Sequence, residues 1–178
     1  LTLLQILDVV DRAELKSELL QELDRQKNNM RLLIGNPAIV ADALHEMLDD
    51  IETAATALRA ETTKLGQILR ANEWLMSIRG RTIIPGGACE FDLPSYHAWQ
   101  SLSAEQRRSD IMGWFSPLAP LFSAISIVLR LLRESGRATH IVAIAGSFQQ
   151  MLQGRTYQML RVHIDEKLGA IPEISANK

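Results

Sequence analysis

The chain has 178 residues, 47% of them hydrophobic and 22% charged, which is enough length and apolar content to bury a sizeable core. Its formal net charge of −2 gives no global attraction to nucleic acid or to anionic lipid, so any anion-binding surface has to be local. One cysteine excludes an intrachain disulfide, and together with the lack of a basic-then-apolar leader or an uninterrupted bilayer-length apolar run it sets the expectation of a cytoplasmic protein without membrane insertion.

Leu3, Leu4, Ile6, Leu7, Val9 and Val10 read as the middle of an apolar helix face, with no initiating Met before them. Further sequence is therefore expected upstream, and the stop after Ser175 to Lys178 suggests the same downstream. Leu19, Leu23, Gln26, Met30 and Leu33 follow at alternating spacings of four and three. Val40, Leu44, Met47, Ile51, Ala54 and Leu58 repeat that spacing after Gly35-Asn36-Pro37, which predicts an antiparallel helical hairpin with coiled-coil-like packing. A shorter helix is expected from about Asn72 to Arg79.

Ile84-Pro85-Gly86-Gly87 demands a sharp turn, because Pro fixes φ and the glycines accept positive φ. Cys89, Phe91 and Leu93 then alternate with Ala88, Glu90 and Asp92 up to Pro94, the period of a short half-buried strand. Ser103 and Gln106 form a capping box for a helix ending near Trp114. Ser116-Pro117 opens another helix, with the hydroxyl at the cap and Pro in its first turn. Its stripe of Leu118, Leu121, Phe122, Ile125, Val128, Leu129 and Leu132 makes it the expected core helix, ended by Gly136.

Beyond Gly136 the pattern becomes β-like. Thr139 to Ala145 is β-rich, Gly154-Arg155 suits a hairpin tip, and Leu160, Val162 and Ile164 alternate with Arg161, His163 and Asp165. The expectation is an α+β fold: a mainly helical domain over 1–80 and 95–136 with a long antiparallel helical hairpin, and an antiparallel β domain over 81–94 and 137–178, incomplete at the C-terminus.

Catalytic motifs are scarce. No phosphate-cradling Gly-rich loop, paired CxxC or HExxH occurs, and Gly146-Ser147 lacks the second glycine of a nucleophile elbow. His45 and Asp49 share a helix face, but the acidic residues beside them flank the apolar seam, as a solvated face does, so no metal and no cofactor is expected. Cys89 and His97 could serve as a thiol and its base. The alternation instead places Cys89 on the apolar face as a small hydrophobe. His97 and Trp99 diverge if their segment is helical, and core packing of the Trp with a hydrogen-bonded His is the simpler reading. The remaining signal is cationic: Arg70, Arg79 and Arg81 bracket the helix before the Pro-Gly-Gly turn, and Arg12 lies at the junction of the first two helices. Guanidinium clusters of this kind suit an acidic peptide.

Ile6-Leu7-Asp8-Val9-Val10-Asp11-Arg12, Glu18 to Gln26, and the Pro-Gly-Gly to Phe91-Asp92-Leu93-Pro94 motif with His97 and Trp99 together closely resemble the bacterial cell-division family ZapD, and the likeness runs the length of the chain. Pro172, Ile174 and Ser175 fit its later β segment. The resemblance implies a non-enzymatic cytoplasmic homodimer at the mid-cell division ring that binds the C-terminal tail of FtsZ and bundles its filaments, with no nucleic-acid partner. It also implies that Arg12 contributes to the cationic tail-facing surface, with Arg70, Arg79, Arg81 and His97 at matching positions. Glu73 departs from the arginine of the familiar enterobacterial form, and further basic positions of the family's pocket are expected beyond Lys178. Two alternatives stay open: a helical-hairpin scaffold that binds no FtsZ tail, and a cysteine-dependent enzyme using Cys89 and His97.

Overall fold

A computed structural model of the chain describes residues 2–82, 84–85, 89–136, 138–151, 154 and 156–175. In the first of two compact units, ending at Val128, helix α1 spans Thr2–Val10 and turns Leu4, Leu7 and Val10 inward. Helices α2 (Leu15–Arg31) and α3 (Ala41–Ala60) form the expected hairpin. Their direction is read from pairs that tie the start of one to the end of the other. Lys16 Nζ donates to Glu61 O at 2.6 Å, Arg59 pairs with Asp24 at 2.9 Å, and Lys27 pairs with Glu52. The Lys27 hydrogen bond and charge, with smaller help from Arg59 and Arg31, hold the Glu52 carboxyl below its ordinary range.

The seam between these arms matches the heptad reading. Leu23, Leu44, Ile51, Ala54 and Leu58 are buried, and Gln26 is buried with its amide bonded to Glu22 Oε1 at 2.7 Å. Satisfying that amide removes most of the cost of burying it. Leu33 and Val40 lie in the connecting loop, where Gly35 takes φ +83° and Asn36 Oδ1 accepts from Ala38 N at 3.0 Å.

Helix α4 (Gln67–Arg70) is one turn long and was not foreseen; α5 runs Glu73–Thr82, with Asn72 Oδ1 capping Leu75 N at 3.1 Å. Helix α6 (Pro94–Gln100) begins on Pro94 in its first turn, where the missing N–H costs nothing. Leu4, Ile78 and Leu93 make a small core that joins α1, α5 and the entry to α6, with Trp74 and Tyr96 against it.

Helix α7 (Ala104–Phe115) starts on the expected capping box: Gln106 N donates to Ser103 Oγ at 3.2 Å and Ser103 N to Gln106 Oε1 at 3.2 Å. Ser103→Ala removes one arm of that exchange and should cost about 1 kcal/mol in chemical denaturation. A 3₁₀ turn at Ser116–Leu118 leads into α8 (Ala119–Glu134). Ser116 does not cap it; its hydroxyl donates back to Gly113 O at 3.1 Å. By length and composition the stretch Ala104–Glu134 reaches what a bilayer crossing requires, with mean hydropathy 1.7 over its best window, which corrects the sequence-level exclusion. Buried Leu118, Leu121, Ala124 and Val128 recur along it as they do on a core helix.

The β expectation fails. Among the described residues the sole pairing is an isolated antiparallel bridge, Ile144 to Ser147, across a turn whose Ala145 and Gly146 have φ 52° and 76°. The fold described is therefore helical, without an antiparallel β domain. Where a strand was foreseen over 88–93, the described residues Cys89 to Leu93 form a turn instead: Leu93 N and Asp92 N both bond Cys89 O, at 3.0 and 3.2 Å. Gly86, Gly87 and Ala88 lie outside the described residues. Phe91 is 93% exposed and Cys89 is exposed, so the alternation did not mark an apolar face; only Leu93 is buried.

In the second unit, from Leu129 on, Val142 is 85% exposed and Leu160 65% exposed. Extended segments become a sheet only when neighbours pair their backbone, and among the described residues these segments pair only at the isolated Ile144–Ser147 bridge. Gly154 has the positive φ of a tip (76°), but Arg155 lies outside the described residues. A 3₁₀ turn, Glu166–Leu168, is capped by Asp165, whose carboxylate accepts from Lys167 N at 3.0 Å.

Candidate functional site

The end of α1 gathers three of the five expected site residues. Arg70 of α4 pairs with Asp11 and also donates to Leu65 O at 3.2 Å. Arg79 of α5 pairs with Asp8 and approaches Asp11 Oδ2 at 3.8 Å. Arg12 follows Asp11 directly, is exposed, and has no carboxylate partner among the described residues. Two guanidiniums thus meet two carboxylates, and the neighbouring Arg12 is the one of the three arginines without a carboxylate partner among the described residues.

Local packing explains why these groups meet. Gly66 takes φ +75° at the start of α4, and its α-carbon lies so close to α1 that a Cβ there would stand 2.7 Å from Leu7 Cδ1 and 3.2 Å from Val10 Cγ1. That approach brings the Arg70 guanidinium onto the last turn of α1, where Leu7 and Val10 are already buried. The ion pairs fix the corner more than they stabilise it, since partly exposed pairs contribute about 0–1 kcal/mol each.

The two other expected residues are placed differently. Arg81 faces another carboxylate, Asp92, at 3.8 Å, and is half exposed. His97 is partly buried on α6 with its ring edge-on to Tyr96 at 5.9 Å. Glu73, the acidic departure, opens α5 and is exposed. Cys89 donates its thiol to Asp92 Oδ2 at 3.0 Å, a carboxylate rather than an imidazole, which does not make the thiol–base pair that the enzyme alternative requires.

A feature that sequence reasoning missed lies on α5, α6 and α7. All three tryptophans of the chain meet there: Trp74 to Trp99 at 5.8 Å, Trp99 to Trp114 at 5.7 Å and Trp74 to Trp114 at 5.5 Å between ring centroids. The rings are only partly buried and wall an open groove of about 420 Å³ that also includes Leu102 and Asp110. Trp74 Nε1 donates to Ser95 Oγ at 3.0 Å and Trp99 Nε1 to Asp110 Oδ2 at 2.8 Å. The available signal was the count of three tryptophans in a chain with only 5% aromatic residues, but nothing in their spacing shows that they converge.

The family description "ZapD: Cell division protein" matches residues 1–178. A protein of Janthinobacterium sp. (strain Marseille) named cell division protein ZapD is 63% identical over 177 residues, which cover 99% of this chain and 70% of the relative. One of the same name from Ralstonia pickettii (strain 12J) is 57% identical over 178 residues, covering 99% and 71%. Identity at that level along the whole chain, with a family match of the same extent, means that the chain belongs to the ZapD family of cell division proteins.

Proposed function

We propose that the protein binds the C-terminal tail of FtsZ and, as a cytoplasmic homodimer at the division ring, cross-links FtsZ filaments into bundles. The observation that carries this reading is family membership over the entire chain. The α1 corner supplies a chemistry for it. Arg12 is exposed and next in sequence to Asp11, and Asp11 and Asp8 hold Arg70 and Arg79 at the same end of α1. An incoming carboxylate can bond Arg12 bidentately and compete with Asp8 and Asp11 for the other two. Arg81 and His97 extend the proposed surface along α5 and α6. Two such surfaces per dimer give avidity on filaments that display many tails, so weak single contacts suffice for bundling.

The test is co-pelleting with FtsZ filaments, intact and tail-deleted. Intact filaments should recruit the protein and tail-deleted ones should not, with recruitment falling as salt rises. Equal pelleting of both overturns the tail reading and leaves the scaffold alternative. Arg12→Glu should lower affinity for a tail peptide about tenfold or more while leaving the circular dichroism spectrum unchanged, because the Arg12 side chain is exposed and the backbone hydrogen bonds to Val9 O and from Leu15 N survive the substitution. An unchanged affinity in that folded variant removes Arg12 from the surface.

A further inference from the structure

We propose that the tryptophan groove is a second recognition site, which takes an arginine side chain of a partner polypeptide. Its lining includes the three indoles, and it carries a single charge, the carboxylate of Asp110. That carboxylate is fixed in place, since Trp99 Nε1 donates to its Oδ2 at 2.8 Å. The other oxygen keeps its lone pairs, and no basic side chain among the described residues forms an ion pair with Asp110.

An open apolar groove alone would accept any greasy side chain. The carboxylate at its edge selects further. Indole faces attract cations through their quadrupole, and the attraction grows when water is excluded. Among cationic side chains, guanidinium fits both features, because its plane stacks on a ring while its in-plane N–H groups fork onto a carboxylate. A lysine ammonium is more strongly hydrated and can only sit as a point charge. The three methylenes of the arginine would lie along Leu102 and the ring edges, as such stems do over apolar surface. The charge preference is opposite to that of the α1 corner, so the two surfaces do not compete for one ligand group and the inference stands apart from the tail-binding proposal.

The test follows the tryptophan indole N–H resonances of the full chain during titration with acetyl-Gly-Arg-Leu-amide. A matched peptide carries citrulline, the neutral isostere, in place of arginine. The expected result is a saturable shift of the Trp99 indole signal with the arginine peptide, and affinity about fivefold or more weaker for citrulline. Asp110→Asn keeps an acceptor for Trp99 and should weaken the arginine peptide by a similar factor. Equal affinities for the two peptides would show a purely apolar groove and overturn the proposal; because that comparison uses the unmodified chain, it decides even if Asp110→Asn fails to fold. The proposal is likewise overturned if Asp110→Asn leaves peptide affinity unchanged and alters the sedimentation mass instead, since the groove would then belong to a contact with a second copy.

Discussion

Gly66→Ala should lower the unfolding free energy by about 2–4 kcal/mol and weaken any ligand of the α1 corner with it. Two costs combine at this residue. An L side chain in the left-handed region costs about 1–2 kcal/mol. The new Cβ would also stand 2.7 Å from Leu7 Cδ1 and 3.2 Å from Val10 Cγ1, contacts that two buried side chains must relieve by repacking or by letting α1 move away from α4. Gly35→Ala separates the two costs. It has a similar φ of +83° but open space around the added carbon, so it should lose only the backbone part, about 1 kcal/mol. Denaturant titration of both variants decides, and equal losses would mean that the α1 contact contributes nothing. The consequence reaches function because Asp8, Asp11 and Arg12 ride on the displaced end of α1.

What was legible in the sequence was what repeats locally. The heptad spacing from Leu19 to Leu58 gave both arms of the hairpin and most of its buried seam, because helix periodicity is written in neighbouring residues. The Ser103–Gln106 box was legible for the same reason: both hydrogen bonds close within three residues. Cys89, Phe91 and Leu93 misled, since a few alternating residues between two prolines suit a turn as well as a strand. Here Leu93 alone found a core to enter, beside Ile78 and Leu4. Leu160, Val162 and Ile164 alternate in the same way, yet alternation names a face without supplying the strand that must pair with it. The candidate site was legible as a set of arginines but not as a geometry. Arg70 meets Asp11 across 59 positions and Arg79 meets Asp8 across 71, separations at which no local pattern operates. The tryptophan groove is the extreme case, since three helices contribute one ring each.

Ile51→Ala should be the most destabilising single change in the hairpin, with a loss of about 2–5 kcal/mol. Ile51 is fully buried in the middle of α3, on the stripe it shares with Leu44 and Leu58 and facing the α2 arm that buries Leu23. Removing three carbons there forfeits their transfer from water and leaves a cavity that two packed helices close only in part. The ion pairs along the same seam offer a comparison. Arg59→Met breaks the pair with Asp24, whose partners are about half exposed, and the denaturation midpoint should barely move. If Ile51→Ala proved as mild as Arg59→Met, the hairpin would not be held by its apolar seam. The variant also separates stability from binding. Ile51 lies in α3, whereas the α1 corner is built from α1, α4 and α5, so the protein, kept at a temperature where it stays folded, should retain the proposed tail affinity that Gly66→Ala is expected to weaken. A hairpin that tolerates lost stability without lost binding is a spacer, and the recognition chemistry then belongs to the short helices packed beside it.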